Sequence, residues 1–308
     1  MNKKRTITFL ILFLVAFLSS NAQLSMRKTA EGILVTESNQ AVLQYNTVEK
    51  NLNGTYSRCN YIHPLFSLRG KTLTEDFPSD HPHQRGIFWA WHQVWINNQR
   101  IGDTWEIKNF KQSVEEVEFF KQNDGSVVLN TEVDWLSDKW KKDGKMVPYL
   151  KEHSSIRVWP QTGKYRKIDF EIRLLALEEG LRLGGSEDEK GYGGFSVRMI
   201  LPEDVSFSGP NGVIVPAETA VQSPGFVNIS GSIEAGKKAG GIVIIDHPDN
   251  PGYPQPWILR VKNSMQNAAW PGREPVSISN TEPIVLKYSL IIYSGKLSMN
   301  KIEKLIEP

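Results

Sequence analysis

The chain of 308 residues has one cysteine, Cys59, so no internal disulfide can staple it. Its stability must come from a packed core. Past the first two dozen residues it has no apolar run long enough to span a bilayer. It has no Gly-X-Ser-X-Gly elbow for a Ser/His/Asp nucleophile and no His-Glu-X-X-His metal motif. It also has no excess of positive charge. At the start, Lys3, Lys4 and Arg5 precede an apolar run over residues 8–17 and the small-residue site Ser20-Asn21-Ala22, the pattern of a secretory signal peptide over residues 1–22. Cleavage after Ala22 makes Gln23 the first mature residue, and with no cysteine at that junction a lipid anchor is not expected. Cleavage removes three of the 36 basic residues and none of the 34 acidic ones, leaving a net charge of −1. That balance gives nucleic acid no basic patch to bind. The expected product is soluble, periplasmic or secreted, with no membrane span.

Helix is scarce as well. Residues 298–306 are the one convincing helix of the mature chain, and strands account for the rest. Residues 114–120 and 127–135 read as a hairpin about Asn123-Asp124-Gly125, and residues 154–159 and 168–177 as another about Gln161-Thr162-Gly163. In the second, Ile168, Phe170, Ile172 and Leu174 alternate with Asp169, Glu171 and Arg173, as a strand with one buried face requires. Seventeen prolines and 24 glycines punctuate many short strands. The pattern predicts an all-β fold, a large antiparallel β-sandwich of the supersandwich type with one short C-terminal helix. With no repeat and no linker, residues 23–308 are expected to form a single domain.

The chemistry is concentrated in residues 76–105, DFPSDHPHQRGIFWAWHQVWINNQRIGDTW, which hold His81, His83 and His92 with Trp89, Trp91, Trp95 and Trp105. Residues 86–96 read as one central strand, with Ile87, Trp89, Trp91 and Trp95 on one face and Phe88, Ala90, His92, Val94 and Ile96 on the other. Pro82 favours an extended backbone before it, which would set His81, His83 and Arg85 on one side. Two imidazoles and a guanidinium make an acid/base and anion-stabilising set, so these three are the catalytic candidates. The same imidazoles are possible ligands of a divalent metal, with His247 as the third. The bland alternative is that they only hold a loop. Three histidines precede proline, at His63, His81 and His247, and each stands where a strand meets a loop. His63, His92, Trp91, Tyr192, Arg198, His247 and Arg273 are the substrate-binding candidates, and the histidines are expected to line one hollow. The glycine-rich segment 184–195 reads as a mobile loop beside that cleft. Glu75, Asp76, Asp103, Glu106, Glu187 and Asp188 are candidate carboxylates that spacing cannot pair.

TVEKN, YIHPLFSLRGKTLTEDFPSDHPHQRGIFWAW, KGYGGFSVR, GGIVIIDHPDNPGYPQPW and AAWPGR together resemble a bacterial family labelled "methane oxygenase PmoA" or PmoA-like. The resemblance runs from about Thr47 to about Arg273, and DHPHQRGIFWAW is its most specific part. Gln84 departs from the common form, which carries a histidine there, so position 84 is a poor candidate for an indispensable ligand. The resemblance implies a secreted β-sandwich protein that accompanies carbohydrate-degradation proteins. Three functions are expected to compete. The first is a carbohydrate-active enzyme, a glycoside hydrolase or lyase, using histidine acid/base chemistry on a carbohydrate or other small molecule. The others are a metal-dependent enzyme with a histidine cluster and a non-catalytic carbohydrate-binding protein.

Overall fold

The computed structural model describes residues 23–262 and 264–306. The expected signal segment, residues 1–22, lies outside the described residues. Among the described residues no helix is long and apolar enough to cross a membrane.

Alternation builds the strands as expected. In Tyr165–Ala176 the side chains of Ile168, Phe170, Ile172 and Leu174 are buried, while Asp169, Glu171 and Arg173 stay in contact with water. Two nine-stranded sheets result. The first runs, in spatial order, Leu24–Lys28, Gly32–Glu37, Gln40–Asn46, Tyr61–Leu65, Ile87–Ala90, Gly194–Met199, Ser264–Ala268, Pro256–Ile258 and Val221–Gln222. The second runs Lys111–Lys121, Val127–Lys142, Lys145–Val158, Tyr165–Ala176, Ile284–Ser294, Lys238–Asp246, Phe226–Glu234, Ser206–Gly209 and Gly212–Ile214. Pairing between these neighbours is antiparallel. The inner faces meet in one core, the arrangement of a β-sandwich. Phe195 of the first sheet stacks on Tyr288 of the second at 4.5 Å between ring centroids and meets Phe170 edge-on at 5.1 Å. Glu152 is enclosed here, its carboxylate accepting hydrogen bonds from Asn60, Trp135 and Ser154, and burial raises its pKa.

Each outer face is covered locally. The C-terminal helix, Met299–Ile306, lays Ile302, Leu305 and Ile306 over Phe226, Val243, Ile245, Ile291 and Tyr293 of the second sheet. On the first sheet, Trp105 and Tyr192 cover Phe88, Ala90, Ile258 and Met265. Burying a side chain as large as Trp105 contributes about 1.5–3 kcal/mol. The candidate site is built on this outer face.

The segment 86–96 is not one strand. Ile87–Ala90 belongs to the first sheet. Gln93–Ile96 belongs to a separate four-stranded sheet with Gln99–Gly102, Leu181–Gly184 and Val276–Ser277. The chain breaks at Trp91-His92 because the Trp91 carbonyl accepts the Thr104 and Trp105 amides at 2.9 and 3.2 Å, and the Trp91 amide donates to Thr104 Oγ1 at 2.7 Å. Beyond the break the faces exchange. Val94 and Ile96 join Ile87, Trp89 and Trp91 in the sandwich core, while Phe88 and Ala90 stay outside with Trp105. At its start, Gly86 takes φ +57° with its Cα against the next strand, where a Cβ would lie 1.9 Å from the Ile62 carbonyl oxygen.

Candidate functional site: a histidine cluster around Asp103–Glu106

The turn that leads into this strand differs from the extended run predicted for it. The Gln84 amide donates to the His81 carbonyl at 2.9 Å, so residues 81–84 curl, and His81, His83 and Arg85 do not share a side. Arg85 is wholly buried. It donates to the Asp76 carboxylate, to the Lys50 and Tyr56 carbonyls at 3.1 Å each and to Tyr61 Oη, and its guanidinium lies 3.5 Å from the Phe77 ring centroid. With its donors spent, Arg85 is a structural residue rather than the anion stabiliser expected. Arg198 is corrected in the same way. It is buried and donates to Glu75 at 2.8 Å, Gln84 Oε1 at 2.8 Å and Asp80 at 2.7 Å. Position 84 therefore holds Arg198 rather than a substrate. The second oxygen of Asp80 pairs with His81 Nδ1 at 2.9 Å. Burial pushes the Asp80 carboxyl up, but hydrogen bonds from His81 and Arg198 outweigh it and bring it down to about 2. An open groove of about 750 Å³ runs past Glu75, Asp80, Arg198 and Lys262, and no imidazole lines it.

The imidazoles gather on the other side of this turn, around Asp103-Thr104-Trp105-Glu106. Asp103 Oδ1 accepts the Glu106 amide at 2.8 Å, which fixes the carboxylate. Asp103 Oδ2 pairs with His92 Nδ1 at 3.0 Å. Trp105 stacks on the His92 ring at 5.5 Å, and Tyr192 closes against both, 4.9 Å from His92 and 5.0 Å from Trp105. The Glu106 carboxylate stands 3.6 Å from His83 Nε2, too far for a hydrogen bond. The His81 ring meets His83 edge-on at 5.7 Å and is half exposed, so it marks the mouth. The Thr104 carbonyl accepts Arg58 Nη2 at 2.7 Å. One four-residue turn thus contacts two imidazoles and a guanidinium.

His83 Nε2, His92 Nε2, and Nε and Nη1 of Arg58 are all out of water, and none has a hydrogen-bond partner among the described residues. Buried polar atoms are rarely left so, because each such atom costs about 1–3 kcal/mol. Burial first, then the charges on His81 and Arg58, pushes His83 from 6.5 down to about 3, so it is a neutral imidazole at neutral pH. The Asp103 contact assigns a proton to His92 Nδ1, from the hydrogen-bond pattern, and leaves Nε2 without a partner among the described residues.

The remaining candidates are dispersed. His63 Nδ1 pairs with Thr74 Oγ1 at 3.0 Å on the Asp76–Arg85 side of the turn. His247 lies past Lys238–Asp246 on the second sheet, where its Nδ1 accepts the Asp249 amide at 3.1 Å. The expectation that His63, His81, His83, His92 and His247 line one hollow is therefore corrected: of these only His81, His83 and His92 stand near one another. The ligand set His81, His83 and His247 is not assembled, and among the described residues no three His, Cys, Asp or Glu side chains are grouped to hold an ion. Trp91 is core, its Nε1 donating to the Trp270 carbonyl at 2.9 Å, and Arg273 is exposed with its backbone carbonyl accepting Gln93 Nε2. Tyr192 alone of the outlying candidates reaches the histidine cluster. Its loop is pinned rather than loose: Ser186 N donates to the Tyr192 carbonyl at 2.9 Å and Tyr192 N to Ser186 Oγ at 3.0 Å. The carboxylates that spacing could not pair now pair as Glu75 with Arg198, Asp76 with Arg85, Asp103 with His92 and Glu187 with Arg100. Arg58, a lone arginine in Thr55–Arg58, was not singled out, and no spacing signal marks it.

No curated protein matches the chain. Residues 32–307, which include both sheets from the second strand onward and the whole histidine cluster, match the family of unknown function DUF6807. The chain belongs to this family.

Proposed function

We propose that the protein is a carbohydrate-active enzyme in which His92 is a general base oriented by Asp103. The observation that carries this is the His92–Asp103 pair, 3.0 Å apart, with Nε2 of the same ring unpartnered. A carboxylate on one imidazole nitrogen fixes the tautomer and stabilises the imidazolium that forms when the other nitrogen takes a proton. Elimination suits the cluster better than hydrolysis by two carboxylates, because Asp103 is already committed to His92 and to the Glu106 amide. Tyr192 stands against His92 and Glu106 near His83, and in this reading they would orient a substrate. Trp105 is buried, so it supports His92 rather than offering a free face. The sugar assignment is supported by the PmoA-like resemblance of the DHPHQRGIFWAW segment. Export after cleavage near Ala22 is part of the same proposal.

The test is turnover of a panel of neutral and acidic glycans, read as new reducing ends or unsaturated products. His92→Gln is expected to lower the rate by about 10²–10⁴-fold, the usual contribution of a positioned base. Asp103→Asn should lower it too, and His247→Ala should leave it unchanged. No products from any glycan, or an undiminished rate in His92→Gln, would overturn the proposal.

A further inference from the structure

We propose that the ligand of this histidine cluster is an anionic sugar whose carboxylate pairs with Arg58. This rests on the reading of His92 as the acting base. Four arginines are buried among the described residues: Arg58, Arg85, Arg166 and Arg198. Three of them have a carboxylate of the protein against the guanidinium: Asp76 for Arg85, Glu37 for Arg166, and Glu75 with Asp80 for Arg198. Arg58 makes no such ion pair. It has one hydrogen bond, to the Thr104 carbonyl, and a contact with the Phe88 ring at 5.0 Å. Two of its nitrogens are left without acceptors. Burial first, then repulsion from Arg85, brings its pKa down to about 9, and the more weakly felt Asp103 carboxylate offsets only part of that.

A desolvated cation with no carboxylate in contact is costly, and an anion arriving from outside would relieve that cost. Arginine is suited to carboxylates because its donors are planar and fixed. Arg58 stands on the turn that holds His92, and its charge is felt at His83. A uronic acid fits both demands. Its carboxylate would pair with the guanidinium and so acidify the adjacent C–H bond, within the reach of a neutral imidazole base. His92 Nε2 takes that proton. The C–H electron pair becomes a C=C bond to the next ring carbon, whose bond to the glycosidic oxygen breaks. That oxygen leaves with the pair and takes a proton from water. The step needs no oxidant and no reductant.

The experiment compares galacturonic- and glucuronic-acid oligosaccharides with galactose and glucose oligosaccharides of the same linkage. Thermal midpoints and calorimetric affinities are measured for the full mature chain, for Arg58→Met and for Arg58→Lys. The uronates are expected to bind and raise the midpoint of the wild type, and the neutral sugars to do neither. Arg58→Met should weaken uronate binding by about 10–100-fold, the contribution of hydrogen bonds to a charged group, and Arg58→Lys should recover part of it. Ligand-free Arg58→Met should melt no lower than the wild type, because it removes an uncompensated charge. Equal binding of neutral sugars, no binding of any uronate, or a lower midpoint for free Arg58→Met would each overturn the inference. His92-dependent turnover of neutral glycans would overturn it too while leaving the base in place. Uronates bound through Arg58 but never turned over would instead overturn the role given to His92.

Discussion

Arg85→Leu is expected to lower the thermal midpoint by roughly 6–10 °C, since removing one partner of a buried ion pair costs about 3–5 kcal/mol and a chain of this size loses about 2 °C per kcal/mol. The cause is what the substitution strands. Asp76 would lose its ion-pair partner in a site with little water, and the Lys50 and Tyr56 carbonyls and Tyr61 Oη would each lose a donor. The guanidinium also fills the space between Phe77 and Tyr61, which leucine cannot do with a planar group. Asp76→Asn alone should cost less, because the amide oxygen still accepts from Arg85. A double-mutant cycle across Arg85 and Asp76 should show strong coupling in thermal or urea unfolding. If Arg85→Leu melts within about a degree of the wild type, Arg85 is not the structural tie described and its removal from the catalytic set loses its ground.

This outcome separates the two arginines that sequence spacing treats alike. In DHPHQRGIFWAW, Arg85 is conspicuous, two residues from one histidine and four from another. Arg58 stands beside the lone cysteine with no pattern around it. The fold reverses their availability: Arg85 turns inward onto Asp76, and Arg58 ends a short strand beneath the Thr104 carbonyl with two nitrogens free. The sandwich itself was legible, because a two-residue period over Ile168, Phe170, Ile172 and Leu174 leaves little choice, and so were the hairpin at Asn123-Asp124-Gly125 and the terminal helix. The break at Trp91-His92 was not legible. Both faces of that segment are buried, so apolar residues continue through it, and what breaks it is a long-range hydrogen bond from Thr104 and Trp105. The same long-range turn pairs Asp103 with His92. Sequence offered both residues but no distance between them. The i, i+2 argument for His81 and His83 failed for a local reason: the Gln84 amide closes a turn onto His81, and alternation holds only in extended chain.

His83 should make the fold sensitive to acid. Its pKa in the folded protein is about 3 against an ordinary 6.5, a lowering caused first by burial and then by the charges on His81 and Arg58. Above pH 6.5 both folded and unfolded chains hold the neutral ring, and His83 contributes nothing to the pH dependence. As pH falls below that value the unfolded chain takes up a proton that the native chain refuses, so stability drops at about 1.4 kcal/mol per pH unit. The loss levels off near pH 3, where the native ring is protonated as well. Asp80, held down to about 2, adds a loss of the same sign at the lower end of this range. Glu152 and Asp246 act in the opposite sense, because burial raises their pKa values and the native state then protonates first. The wild-type curve alone mixes these contributions. The difference between wild type and His83→Gln isolates one of them, because glutamine keeps a polar side chain in place and cannot take up the proton. Urea midpoints measured from pH 7 to about pH 4 should diverge steadily, with the variant gaining on the wild type by roughly 3 kcal/mol at the acid end. Parallel curves would mean that the buried imidazole is protonated as easily folded as unfolded, and the cluster around Asp103–Glu106 would then be far wetter than its covered nitrogens require.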